Sequence, residues 1–333
     1  MAQRVMVVGG TGNMSTAIVR LLLDRGYDVS IYCRGQSVLP PHPDARVVIG
    51  DRTDRTAYIQ LMRQGNYDFA IDMICRDLQD AQDDYAAFPD VGRLVFCSTA
   101  GIYGELPAAE MPICEHYSLT LPTWKYGLIK RQAEDFLLGK YLEKRYPVTI
   151  IRPSVTFGRM KQLVRQIGMD NVWIDRIRKG KPIITGNPYI MRNFLHADDA
   201  AYAFAGAIEQ SVCIGQTYNM VGLKPYDWQT YHRTMMKVVG RESEMIEVPL
   251  ETMLANQSAT FKVSDLFLYS YRYNSYLSGE KIARDIPDFR VRTSLEQGLA
   301  QAVDFIERQN LIPDSEQYPG EDEIIRLQLA TRH

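Results

Sequence analysis

The chain has 333 residues, 46% of them hydrophobic and 23% charged, with a formal net charge of −2 at neutral pH. That balance predicts a globular protein with a sizeable core and two subdomains, and it excludes a general electrostatic attraction to nucleic acid or anionic membranes. Five cysteines (Cys33, Cys75, Cys97, Cys114, Cys213) without a C-x-x-C pair read as reduced thiols. With no signal-type amino terminus and no membrane-length apolar run, the expected location is the cytoplasm.

In chain order, short apolar β-type runs at 4–9, 28–33, 45–50, 68–74, 92–98 and 147–153 alternate with helical patterns, the clearest at 14–26 and 126–146. Strands alternating with helices are the signature of βαβ units around a parallel sheet. The expected fold is α/β, a doubly wound parallel sheet with a smaller mixed α/β domain. After Pro153 the rhythm changes: a helical stretch near 161–179, a helix within 193–210, and a strand-like run at 216–222. The last residues, rich in Asp, Glu and Pro, read as a solvated tail. The expected division is 1–153 plus 193–225 for one domain, 154–192 plus 226–315 for the second, and 316–333 for the tail.

Directly after the first strand stands "GGTGNMS", with Gly9, Gly10 and Gly12 at the strand-to-helix corner and Asn13 and Met14 opening the helix. Glycines there permit a tight turn and let backbone N–H groups approach a pyrophosphate, which the helix dipole also favours. Ser15 occupies the place of a third glycine and is small enough for close packing. The second strand ends "IYCRG", with Arg34 where an acidic residue would grip a ribose 2′-hydroxyl. An arginine in that corner accommodates a 2′-phosphate, which points to NADP, and an exposed loop arginine without a ligand has the same appearance. Asp51 and Arg52 in "GDRTD" lie where an adenine ring is contacted, and Asp51 serves equally well as an N-cap or turn residue.

In "TWKYGLIKRQAED" at 123–135, Tyr126 and Lys130 stand four apart in a helical pattern. Such a pair shares one helical face. A neighbouring ammonium lowers a phenol's pKa, but the spacing alone also describes a half-buried tyrosine beside a solvated lysine.

Together, "GGTGNMS", "FCSTAGIYG" at 96–104, "YGLIK" and "IRPSVTFG" at 151–158 resemble the extended short-chain dehydrogenase/reductase superfamily, in its NAD-dependent epimerase/dehydratase branch. "RNFLHADDAA" at 192–201 and "GEKIARDIPDFRVRTSLEQGL" at 279–299 resemble its later signatures, so the likeness spans about 1–310. It implies a Rossmann-type dinucleotide domain, NAD as cofactor, and a Tyr-x-x-x-Lys pair. Tyr126 would then be the acid/base, and Lys130 would hold the nicotinamide ribose and, with the positive nicotinamide, lower the phenol's pKa. The third catalytic group implied is Thr99, with Ser98 beside it in the substrate site.

Dehydratases of the branch follow that threonine with an Asp-Glu pair, where Ala100 and Gly101 stand here, so neither a 4,6-dehydratase nor the decarboxylase variant is expected. Arg192 matches an arginine that binds the nucleotide diphosphate in sugar epimerases. Val155 replaces an asparagine of those enzymes, and Arg292 is a further candidate phosphate contact. His196 and Asp199 are expected to fix a helix start, and Cys75 and Cys97 to pack as small hydrophobes.

The leading expectation is a nucleotide-sugar epimerase with a roomy pocket and retained cofactor. The second is an NADP-dependent sugar or ketone reductase, and the third a nucleic-acid-associated protein of the same fold, as in plastid RNA-binding relatives. No metal or membrane partner is expected, and homodimerisation through the helix bearing Tyr126 is what the resemblance implies.

Overall fold

The computed structural model describes residues 2–37, 39–104, 111–117 and 123–331. Its centre is strand β1 (Arg4–Val8), whose side chains alternate between two cores, as strand geometry requires. Val5 and Val7 pack on one face with Ile18 and Leu22 of α1 (Asn13–Asp24) and Phe204 of a later helix. Met6 and Val8 pack on the other with Tyr58, Ala81 and Leu137.

Around β1 lie β2 (Asp28–Cys33), β3 (Arg46–Ile49), β4 (Phe69–Asp72), β5 (Arg93–Cys97) and β6 (Val148–Pro153). With strand Thr217–Met220 they form a seven-stranded sheet in the order β3-β2-β1-β4-β5-β6 followed by that strand. All its pairings are parallel. Helices α2 (Arg55–Gly65), α3 (Leu78–Ala87) and α4 (Lys125–Lys144) cover one face. Strand order reverses between β1 and β4, and in such sheets the ligand crevice lies outside the strands' carboxyl ends at that reversal.

A third core gathers Trp173, Trp228, Tyr231, Phe194, Leu299 and Ile306. It starts at Val155 and takes in Phe194, whereas Leu195 packs with the sheet, so the chain crosses between the two cores at that dipeptide.

Two segments differ from the sequence expectation. Within 161–179, only α5 (Val172–Lys179) is helical. Val164–Arg165 instead pairs antiparallel with Gly168–Met169. Long-range contacts override the helical pattern there: Arg165 is held by Asp170 and Glu321, and the Gln166 amide donates to the Asn187 carbonyl at 2.7 Å.

The expected solvated tail forms helix Gly320–Ala330. Ile324 is fully buried, and the Glu321 carboxylate accepts from Arg165 at 3.0 Å and from the Ile184 amide at 2.9 Å. Acidic composition misled because Glu321 neutralises the buried Arg165 and the half-buried Asp322 pairs with Arg176.

Candidate active site

Gly9, at φ +82°, lies where an added Cβ would come 2.3 Å from the Ile74 side chain, and one at Gly10 would come 2.5 Å from Ile31. These two glycines close the turn against the ends of β4 and β2. Gly12 caps α1 without a side chain, so the first-turn amides, which no helix satisfies internally, remain for a ligand. No acidic residue stands in that turn, and Asn13 Oδ1 is buried without a partner among the described residues. This chemistry fits a dinucleotide pyrophosphate.

At the end of β2, Arg34 is exposed and close enough to the exposed Asp51 to lower that carboxyl's pKa, although the Thr53 hydrogen bonds lower it more. Asp51 shapes a turn by accepting from the Thr53 amide at 2.9 Å, while Asp54 caps α2. Arg52 is not placed with them. It is 3% exposed and bridges Asp72 and Asp84, with its guanidinium over the Tyr58 ring. Asp72, Cys75 and Asp84 bring three ligand-type atoms together, but the Arg52 cation already bridges the two carboxylates, which argues against a metal centre.

Tyr126 lies in the first turn of α4 and Lys130 one turn on. Lys130 is 5% exposed, and its Nζ donates to the Cys75 carbonyl at 2.6 Å and the Cys97 carbonyl at 2.8 Å. The ammonium is thus clamped between the ends of β4 and β5, over the Phe96 ring. Cys75 and Cys97 are buried thiols, as expected, and it is their backbone carbonyls that touch this cation.

The Tyr126 hydroxyl is near enough to Thr99 for the threonine to favour the phenolate. Desolvation of the hydroxyl pushes its pKa up although the residue as a whole is 40% exposed, while Lys130 and Thr99 pull it down without reversing the net rise. The lysine acts in the expected direction, but burial outweighs it. Thr99 also accepts from the Gly101 amide at 3.1 Å, starting the short 3-10 helix Ala100–Tyr103. Ser98 is 3% exposed, and its hydroxyl has no partner among the described residues.

Tyr126, Thr99 and Arg192 line one cavity of about 280 Å³, with Trp124, Ser154, Val155, Leu266, Ser270 and Tyr271. Arg192 is 4% exposed and donates to the Ser270 carbonyl at 3.1 Å and Ser270 Oγ at 2.8 Å. Its hydrogen bonds and its electrostatic neighbours include no carboxylate among the described residues, and burial lowers its pKa to about 10. A buried guanidinium held only by neutral groups has its charge free to take an anion.

Arg292 does not line this cavity; it lies over the Tyr202 ring and donates to the Asp288 carbonyl. His196 caps the helix Ala197–Glu209, and Asp199 accepts from the Arg292 and Thr293 amides.

Sequence reasoning passed over the wall formed by 266–271. The tyrosine-rich run "LFLYSYRYNSY" was its visible signal. Tyr269 there lies parallel to Trp124, with ring centroids 6.1 Å apart.

Among known proteins, the model of the NAD dependent epimerase/dehydratase family matches residues 5–220, more than half of the chain. The chain is similar to the 2'-dehydrokanamycin reductase of Streptomyces kanamyceticus, 27% identical over 249 residues that cover 74% of this chain and 70% of the relative. It is also similar to the chloroplast stem-loop binding protein of 41 kDa b of Arabidopsis thaliana, 24% identical over 67% of this chain and 59% of that one. In fold it resembles the UDP-glucose 4-epimerase of Thermotoga maritima, with a TM-score of 0.72 and 17% identity over 92% of this chain and 100% of that one.

Proposed function

The chain belongs to the NAD-dependent epimerase/dehydratase family, and from that premise we propose that it is a reductase passing hydride from a nicotinamide dinucleotide to a carbonyl carbon of an anionic, sugar-like substrate. The observation that carries this reading is one cavity lined by Tyr126, Thr99 and the Arg192 cation, with the buried Lys130 one helical turn beyond Tyr126.

When bound, the dinucleotide supplies the hydride. The amides of the glycine turn from Gly9 to Met14 would hold its pyrophosphate. Arg34 would face the adenosine 2′-phosphate, Asp51 the adenine side, and Lys130 the nicotinamide ribose. Tyr126 gives its proton to the substrate carbonyl oxygen as the carbon is reduced, leaving a hydroxyl on the substrate and a phenolate next to Lys130. Thr99 holds that oxygen in place; Ser98, buried and outside the cavity lining, does not reach it. Arg192 takes the substrate's phosphate or carboxylate.

Two observations favour reduction with release of the oxidised cofactor. Arg34 is exposed in a corner that carries no acidic residue on the strand end, which suits NADP. The cavity's 280 Å³, walled by Trp124, Leu266 and Tyr271, lies just under the range of ordinary ligand pockets, about 300–1,000 Å³, and suits one small substrate more than a keto sugar that must turn over. The similarity to a dehydrokanamycin reductase agrees.

The second reading is a nucleotide-sugar epimerase, favoured by Arg192, whose fork suits a diphosphate. In either reading a homodimer through α4 is part of the proposal; Leu142 on that helix is 73% exposed.

Mass spectrometry of the nucleotide released on denaturation separates the two. A protein that releases none and binds NADPH from solution supports the reductase; stoichiometric NAD released from the purified protein overturns it in favour of the epimerase.

A further inference from the structure

The buried carboxylates beside the dinucleotide crevice have no place in the chemistry above, yet one of them reaches the lysine clamp through a single residue. Asp72 ends β4 and is fully buried. Its Oδ1 accepts from the Ile74 amide at 2.7 Å and the Cys75 amide at 2.8 Å, and its Oδ2 takes a charged hydrogen bond from Arg52. Those three bonds fix the turn after β4. Ile74 of that turn closes on Gly9, and the carbonyl of Cys75 receives the Lys130 ammonium.

Asp84 on α3 is equally buried. Its Oδ1 accepts from Arg52 at 2.7 Å and from the Tyr58 hydroxyl at 2.6 Å, and its Oδ2 accepts from nothing among the described residues. Arg52 also reaches the buried Asp80 at 3.6 Å, which Arg55 and Arg76 pair as well; this one guanidinium cannot neutralise both Asp72 and Asp84 in a dry site, so one of those two carries a proton. Asp72, with two amides and the Arg52 bond on its oxygens, is held as the anion. Asp84, with one oxygen unused as an acceptor and a carboxyl oxygen within 4.8 Å of one of Asp72, carries the proton. Burial and the neighbouring carboxylate raise the pKa of Asp84, while Arg52 and the hydrogen bonds on Asp72 offset its burial and leave its pKa lowered.

We propose that ionised Asp72, clamped by Arg52 with protonated Asp84 beside it, is the positioning residue that sets the Cys75 carbonyl and, through it, the Lys130 ammonium against the dinucleotide. This rests on the functional reading above, in which Lys130 holds the nicotinamide ribose. Asp72 acts through two backbone groups and touches no reacting atom.

The two carboxylates give the test its asymmetry. An asparagine at 84 is neutral, as a protonated carboxyl is, and still accepts from Arg52 and Tyr58. An asparagine at 72 removes the charge that holds Arg52. NADH and NADPH affinity is measured by fluorescence titration on the full chain for wild type, Asp84→Asn, Asp72→Asn, Lys130→Met and the double variant Asp72→Asn/Lys130→Met, with thermal melts to establish folding.

The expected result is that Asp84→Asn binds within about twofold of wild type and Asp72→Asn binds about tenfold more weakly, the loss for a misplaced charged hydrogen bond. The double variant should bind no more weakly than Lys130→Met alone. Equal losses at 72 and 84, or losses that multiply in the double variant, overturn the proposal. If Asp72→Asn does not fold, Asp84→Asn decides: retained affinity supports the proton assignment, and a tenfold loss overturns it. A wild type that binds neither dinucleotide overturns the functional reading, and this proposal with it, before any variant is compared.

Discussion

Lys130 Nζ lies 2.6 Å from the Cys75 carbonyl oxygen, and a second bond to Cys97 ties the same ammonium across the ends of two adjacent strands. The cation that tunes Tyr126 is therefore fixed by the sheet rather than by its own flexible stem. For reduction the active form of Tyr126 is the protonated phenol, and burial raises its pKa above the ordinary 10. The reductive rate should stay level through neutral pH and fall only in the alkaline range as the phenol ionises. The reverse oxidation needs the phenolate and should rise over that same range. Lys130→Met removes a pull that lowers the pKa, so both limbs should move to higher pH. Rate profiles in both directions check this, and limbs that stay in place would contradict it.

Arg192 should govern substrate affinity. Replacing it with Leu removes the cavity's buried cation, which would cost an anionic substrate about 2–5 kcal/mol, seen mainly in KM, with dinucleotide affinity unchanged. Steady-state kinetics with a phosphorylated or carboxylated sugar and its uncharged analogue measures the effect. Equal losses for both substrates would show that Arg192 supports the wall rather than binding the charge.

Arg34→Asp should move preference from NADPH toward NADH. A carboxylate would repel the 2′-phosphate and accept from the ribose hydroxyls. The ratio of kcat/KM values for the two cofactors reports this directly, and an unchanged ratio removes Arg34 from cofactor recognition.

Glu134, two turns beyond Tyr126, is 1% exposed and receives Arg152 at 2.6 Å, and Arg152 also donates to the Tyr103 hydroxyl at 2.9 Å. This pair ties α4 to β6. Glu134→Ala leaves a buried guanidinium without its carboxylate and should destabilise the fold by about 3–5 kcal/mol. The urea midpoint measures it, and a shift worth less than about 1 kcal/mol would show that Tyr103 and neighbouring carbonyls suffice.

The sheet was legible because each strand carries its own apolar run. All six expected at 4–9, 28–33, 45–50, 68–74, 92–98 and 147–153 lie at strands of the structure. The glycine turn and the Tyr126 helix were legible for a related reason: their signals are local. What could not be read depends on distant partners. Arg52 looks like a loop residue beside Asp51, and only the return of α3 against β4 brings Asp72 and Asp84 to it. The terminal helix is acidic in sequence, and Arg165 and Arg176, more than a hundred residues away, turn that acidity into buried pairing. The cavity's far wall at 266–271 carries no motif, and its role comes from packing against Trp124 and Arg192.

The central claim is that the Tyr126 hydroxyl moves the proton while a bound dinucleotide moves the hydride. Tyr126→Phe keeps the ring between Trp124 and the cavity and deletes only that hydroxyl. The measurement is single-turnover oxidation of bound NADPH by a carbonyl substrate, alongside NADPH affinity. The account predicts affinity near that of the wild type and a hydride-transfer rate lower by about 10²–10⁴-fold; a variant that transfers hydride at the wild-type rate would contradict it.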